Sequence, residues 1–345
     1  MMAAASPSAE ALHRDALVID GLIALSDGYA DGLLAGGVDA VNLTVAGYQA
    51  DFAECCDDMA EWIERASRPE GPWRIVLAAD DILAARREGK VGLVMGFQNM
   101  RPVEDKLHRL ALFHRAGVRI MQLTYNERNF LGDGCLEPED GGLSLFGKRA
   151  VAEMNRLGIA VDLSHVGERT LREAALASSV PVLMTHANAR KISPAPRNKS
   201  DDAIKAVAAT GGVIGVSIHG ALCWRGDPKR PPTLADAVAN LEHMVGLVGI
   251  DHVSIGTDFV SVGPAGRARL ERVLEFTASR YPSFISGFVE AFGNGPEARY
   301  PKDCASPAQL PALTAALLAR GWKEADARAV LGENLFRVLK TVWRD

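Results

Sequence analysis

Nine short runs rich in Val, Ile and Leu recur along the chain, and an amphipathic stretch follows most of them. The runs cover residues 16–19, 38–45, 74–78, 91–95, 118–123, 159–163, 180–184, 212–218 and 253–255. Such lengths and compositions belong to parallel strands buried on both faces. Between them, residues 51–66, 106–115, 143–157, 169–177, 201–209 and 234–248 place apolar side chains at helix spacing. Ser200 and Asp201 form a helix start, and Gly117, Gly158 and Gly249 sit where helix C-caps belong. Pro181 falls at the start of its run, where a strand tolerates a missing N–H. Seven or eight strand–helix units in series make either a doubly wound sheet or a closed barrel. No G-x-G-x-x-G follows the first run, which favours the barrel over a dinucleotide-binding sheet. The expected fold class is therefore α/β, a TIM-type (β/α)8 barrel of one domain over residues 1–345. Residues 258–307, rich in Gly, Pro and Phe, are expected to cover the mouth, and 307–345 to add C-terminal helices.

Composition narrows the function classes. With 38 basic and 43 acidic residues the net charge is −5, without the basic surplus of a nucleic-acid binder. No apolar run reaches the roughly 18 residues of a membrane span. The start MMAAASPSAEALHRD lacks a basic segment followed by an apolar one, so no secretory leader is expected. Five cysteines in so long a chain read as reduced thiols. A cytoplasmic enzyme acting on a small molecule, without nucleic-acid or membrane partners, is the expectation.

Barrels of this kind build their sites at the C-terminal ends of the strands. Ser164-His165 follows the run 159–163, Thr185-His186 follows 180–184, and Gly256-Thr257-Asp258 follows 253–255. Two imidazoles and a carboxylate from three strand ends suit a divalent ion such as zinc. A lone histidine at a strand end is more often a structural hydrogen-bonding residue, but two on consecutive strands with a terminal Asp favour a site. His219 also ends a run and reads as a loop residue first and as a substitute ligand second.

Several segments resemble the membrane (renal) dipeptidase family, metallopeptidases of the amidohydrolase-like superfamily. They are MGFQN at 95–99, LTYNERNFLGDGC at 123–135, GGLSLFGKRAVAEMNRLGIAVDLSHVG at 141–167, THANAR through PRNKSDD, and SIGTDF at 254–259. The similarity runs from VIDG at Val18 to GENLFRVL at Leu339. It implies that His165 and His186 are the two histidine ligands of the family's second metal. It implies that Arg197 holds the substrate's carboxylate, a bidentate task suited to guanidinium. Asp258 corresponds to the aspartate that binds the first metal and handles the proton of the attacking water. Asn198 shares the RN signature and reads equally well as a turn residue. A homodimer is also what the family suggests.

The departures from that pattern are specific. Leu22 and Ala24 stand where the family carries H-x-D, Gln98 replaces its bridging glutamate, and Tyr125 replaces a substrate-binding histidine. Two divalent ions repel one another unless a carboxylate bridges them. The expectation is one metal ion, zinc, held by His165, His186 and the Gln98 amide oxygen, with Asp258 catalytic and Tyr125, Arg197 and Asn198 contacting substrate. The activity implied is dipeptidase-like hydrolysis of a dipeptide or related small amide with a free carboxylate. Two alternatives stay open: metal-free acid–base chemistry on a small carboxylated metabolite, and a non-catalytic small-molecule binder.

Overall fold

The computed structural model describes residues 7–24, 29–260, 275, 279–280, 286–293, 295 and 298–343. Its strands are β1 (Ile19–Ala24), β2 (Ala40–Thr44), β3 (Trp73–Ile75), β4 (Val91–Phe97) and β5 (Val118–Gln122). They continue with β6 (Ala160–Asp162), β7 (Leu183–Met184), β8 (Val213–Val216), β9 (Val253–Ile255) and β10 (Phe259–Val260). All pairings are parallel, in the order β10-β1-β2-β4-β5-β6-β7-β8-β9. β9 and β10 are two pieces of one strand position, broken at residues 256–258, and β10 pairs with β1 through Ile23–Phe259. The ring so formed is the expected (β/α)8 barrel. β3 is the exception: it pairs only with the first half of β4, outside the ring.

Local chemistry explains the elements between strands. The helix Phe52–Ala66 starts at Asp51, whose carboxylate accepts from the amides of Ala53 and Glu54 while Glu54 reaches back to the Asp51 amide. Ser144 and Ser200 cap the helices Leu145–Leu157 and Asp201–Ala209 in the same sense. Gly158 closes the first of these at φ 75°, a conformation glycine adopts without a Cβ penalty. The C-terminal helix Asn334–Trp343 buries Leu335, Val338, Leu339, Val342 and Trp343 in one cluster with Ile19, Ile120, Ala160, Leu183 and Val213 from the barrel strands. Most of those strand residues lie at or near strand starts, so the helix plugs the N-terminal end and leaves the other end as the mouth.

Glycine is required inside the ring. A Cβ on Gly21, Gly215 or Gly256 would lie 2.6, 2.0 or 1.8 Å from the carbonyl oxygen of Thr185. Three strand positions thus crowd around one carbonyl at the end of β7, which fixes the backbone that carries His186. Half of the segment expected to cover the mouth, 258–307, lies outside the described residues, including 261–274. The expected C-terminal helices are Pro311–Ala319, Glu324–Arg328 and Asn334–Trp343.

Candidate active site

His165 and His186 stand just beyond β6 and β7, and both side chains are buried. Their Nε2 atoms are 3.0 Å apart. On the far side of each ring, Nδ1 of His165 meets Asn126 Oδ1 at 2.8 Å and Nδ1 of His186 meets Thr185 Oγ1 at 2.8 Å. The Thr185 hydroxyl donates its own proton to Asp162 Oδ2 at 2.7 Å, so it can only accept from His186. Asn126 Oδ1 likewise only accepts. The network therefore places a proton on both Nδ1 atoms and a lone pair on both Nε2 atoms. Two facing lone pairs at this distance repel unless a cation lies between them.

Asp162 anchors this arrangement from below. Besides Thr185, its carboxylate accepts from Ser164 Oγ at 2.6 Å and from the amides of Ser164 and Thr185 at 3.0 Å each. Burial raises its pKa, and these hydrogen bonds oppose the rise. Burial first, and then the Arg197 guanidinium, push both imidazoles well below their ordinary pKa. They are neutral, the state in which imidazole binds metal.

Arg197 is 1% exposed. Its Nη2 donates to the His186 carbonyl at 2.7 Å, whereas Nε and Nη1 have no partner. A buried cation with Nε and Nη1 unpaired has donors left for an anion such as a carboxylate. Tyr125 stacks on His165 with ring centres 4.1 Å apart, and Tyr48 stacks on Tyr125 at the same spacing. This aromatic column separates the imidazoles from a groove of about 650 Å³ whose walls include Asn99, Arg101, Arg128 and Phe130. Burial and the Asp258 charge raise the Tyr125 phenol pKa, which keeps it a neutral hydroxyl.

Asp258 sits in the break between β9 and β10 with φ 60°, a left-handed conformation uncommon for a residue with a side chain. Its amide donates to the Leu22 carbonyl at 3.0 Å, and its carboxylate lies 3.8 Å from Arg299 Nη2. Burial raises its pKa, while Arg299 and Arg197 pull it back. Asp20 on β1 is enclosed differently. It accepts from Thr257 Oγ1 at 2.5 Å and from the amides of Thr257 and Leu22. Burial still pushes its pKa up to about 7.

The remaining candidates take supporting positions. Asn198 directs its amide hydrogens to the carbonyls of Ser193 and Leu222, as a turn residue does. Gln98 donates through Nε2 to Thr44 Oγ1 at 2.8 Å, so that end of its amide faces β2. His219 accepts from the Ala221 amide and starts a short helical turn. Asn126, Thr185 and Asp162, which set the tautomers, were not singled out in the sequence. For Asp162 the available signal was a carboxylate inside an apolar run, two positions before Ser164. For Arg299 and Tyr300 there was none, because the chain brings them in from beyond the last strand.

The paired imidazoles fit a metal ion. Two ligands about 2.05 Å from a tetrahedral zinc are separated by about 3.3 Å, close to the observed Nε2 spacing. Both imidazoles carry the Nδ1 hydrogen bonds that orient metal-binding histidines. Among the described residues, no group of three or more His, Cys, Asp or Glu side chains could hold an ion. The remaining coordination positions of an ion on this pair would therefore fall to water, substrate or an amide oxygen.

Comparison with known proteins places these residues in a family context. Residues 32–286 match the family described as membrane dipeptidase (peptidase family M19). An uncharacterized dipeptidase of Schizosaccharomyces pombe is 30% identical over 275 residues, 78% of this chain and 62% of the relative. The chain thus spans under two thirds of that relative's length. An amidohydrolase from Pseudomonas aeruginosa is 33% identical, with a TM-score of 0.83 over 98% of this chain and 99% of that one. A metallo peptidase from Rhodobacter sphaeroides, liganded with a phosphinate mimic of the dipeptide L-Ala-D-Ala, shares the fold. Its TM-score is 0.75 at 22% identity, covering 95% of this chain and 100% of that one.

Proposed function

The chain belongs to the membrane dipeptidase family, peptidase family M19, and from that premise we propose that it hydrolyses a dipeptide or related small amide with a free carboxylate. The observation that carries this reading is the pairing of a buried, half-unpartnered Arg197 with two neutral imidazoles whose lone pairs meet at 3.0 Å. The guanidinium receives the carboxylate through its unpartnered donors and so positions the neighbouring amide against the histidine pair. A single zinc ion held by His165 and His186 would supply Lewis acidity and a water of lowered pKa.

The chain's own groups account for the rest of the reaction. Asp258 accepts the proton of the attacking water and returns it to the leaving nitrogen. Its pKa, raised by burial and pulled back by two guanidiniums, suits a group that must both take and give a proton. Tyr125, stacked on His165, excludes water from one face of the imidazole and offers its hydroxyl to the substrate. The proposal also takes the chain as one cytoplasmic domain able to form a homodimer; among the described residues no helix is long and apolar enough to cross a membrane.

The test is hydrolysis of a panel of dipeptides, with free and with acetylated amino ends, alongside the same compounds with an amidated C-terminus, using zinc-loaded protein. Cleavage of the free acids with loss of the amides supports the reading. Equal cleavage of both, or cleavage of neither, overturns it.

A further inference from the structure

On the β1 side of the mouth the groups that could receive charge are unusual. Leu22 and Ala24 end β1 with aliphatic side chains, and the Leu22 carbonyl takes the Asp258 amide. Asp20 and Asp162 are each enclosed by hydroxyls and amides. Among the described residues of this mouth, Asp258 is the carboxylate left to face the substrate. It is already met by a cation, since Arg299 Nη2 stands 3.8 Å from Asp258 Oδ2, with both side chains largely buried.

Arg299 does not swing freely. Its Nε donates to Tyr300 Oη at 3.0 Å, and its carbonyl accepts from the Gly220 amide at 2.7 Å. The Tyr300 oxygen is in turn fixed by the Val260 amide at 2.7 Å and donates to the Asp258 carbonyl at 2.7 Å. Burial opposes the charge on Arg299, but Tyr300 and Asp258 outweigh it and raise its pKa, so the guanidinium is permanent. Among the described residues around the histidine pair, Arg197 and Arg299, with Lys199 donating to the Val166 carbonyl, thus stand against the carboxylate of Asp258.

We propose that Arg299, by pairing with Asp258, makes this site select amides whose amino end carries no positive charge, that is, N-acylated or otherwise N-blocked amino-acid amides. The inference rests on the reading of Arg197 as the carboxylate anchor and deepens it by naming the substrate class. With the carboxylate on Arg197, the amino end of a short substrate reaches the Asp258–Arg299 side. A free ammonium there must compete with a fixed guanidinium for one carboxylate and is repelled by it. A blocked, neutral nitrogen meets no such penalty, and its acyl oxygen can accept from the guanidinium.

The test uses two non-hydrolysable phosphinate dipeptide mimics, one with a free amino end and one acetylated, titrated calorimetrically into the zinc-loaded full chain. The wild type is expected to bind the acetylated mimic at least about tenfold more tightly, the scale of a like-charge juxtaposition. Arg299→Gln should erase or invert that preference, whereas Arg299→Lys should keep it. A wild type that prefers the free amine, or that binds neither mimic at millimolar concentration, overturns the proposal. So does an unchanged preference in Arg299→Gln shown folded by its melting curve. If that variant does not fold, the wild-type preference decides alone. Failure of the hydrolase reading is a separate event: tighter binding of the acetylated mimic with no cleavage of any amide would sink that reading and leave the selectivity in place.

Discussion

The phenol of Tyr300 donates to the carbonyl oxygen of Asp258 at 2.7 Å and holds that aspartate in its left-handed conformation at φ 60°. Residues held in such regions cost about 1–3 kcal/mol and persist where the surroundings fix them. Tyr300 is that fixture, since the same oxygen also receives the Val260 amide and Arg299 Nε. Tyr300→Phe should lower kcat about tenfold, or ~1.4 kcal/mol, by letting the Asp258 backbone relax. Asp258→Asn should keep the backbone, because Asn tolerates this region equally, and lose the activity. Steady-state kinetics with melting curves separate the two; full activity in Tyr300→Phe would refute the positioning role.

Arg197→Ala removes the anchor for the substrate carboxylate. Two charge-assisted hydrogen bonds at about 1.5 kcal/mol each correspond to roughly 10²-fold in kcat/KM. Arg197→Lys should recover only part of it, because an ammonium cannot present the two-pronged fork. An Arg197→Ala enzyme that hydrolyses free acids at the wild-type rate would show that the unpaired Nε and Nη1 do not bind substrate.

Stability should fall on mild acidification, through a group far from the site. His13 is buried, with Nδ1 2.7 Å from Thr314 Oγ1 and Nε2 2.7 Å from the Gly36 carbonyl, tying the first helix to a C-terminal one. Burial lowers its pKa, although the Gly36 bond opposes this. The unfolded chain therefore binds a proton that the folded chain resists, and the stabilisation present above about pH 6.5 is lost as pH falls towards the folded value. Denaturant midpoints measured from pH 8 to pH 5 should drop for the wild type and drop less for His13→Gln. Identical pH slopes would contradict this.

Glycine substitutions should divide sharply by position. A Cβ at Gly256 would meet the Thr185 carbonyl oxygen at 1.8 Å, so Gly256→Ala should cost more than about 4 kcal/mol or prevent folding. Gly246, in the exposed part of the helix Leu234–Val248, has nothing within 4 Å, and Gly246→Ala should stabilise by about 1 kcal/mol. Chemical denaturation of the two variants reads both effects.

Much of this was visible in the residues themselves. Eight of the nine apolar runs mark ring strands, and the strand-end rule led directly to His165, His186 and Asp258. The run 74–78 looks like the others yet forms β3 outside the ring, because apolar content reports burial and not ladder partners. The first run begins at residue 16, but the ladder starts at Ile19, since Val18 is buried while its amide bonds to Asp39 Oδ2. Arg299 and Tyr300 were illegible for a different reason. They reach Asp258 across some 40 residues, and no periodicity encodes a contact made by a returning loop.

The central claim is that the lone pairs of His165 and His186 share a single ion. Elemental analysis of protein purified without chelator or histidine tag, equilibrated with zinc and desalted, tests it most directly. Close to one zinc per chain is predicted, with near-zero content in His165→Ala at an unchanged melting profile. Two zinc ions per chain, none after equilibration, or full content in His165→Ala would contradict it.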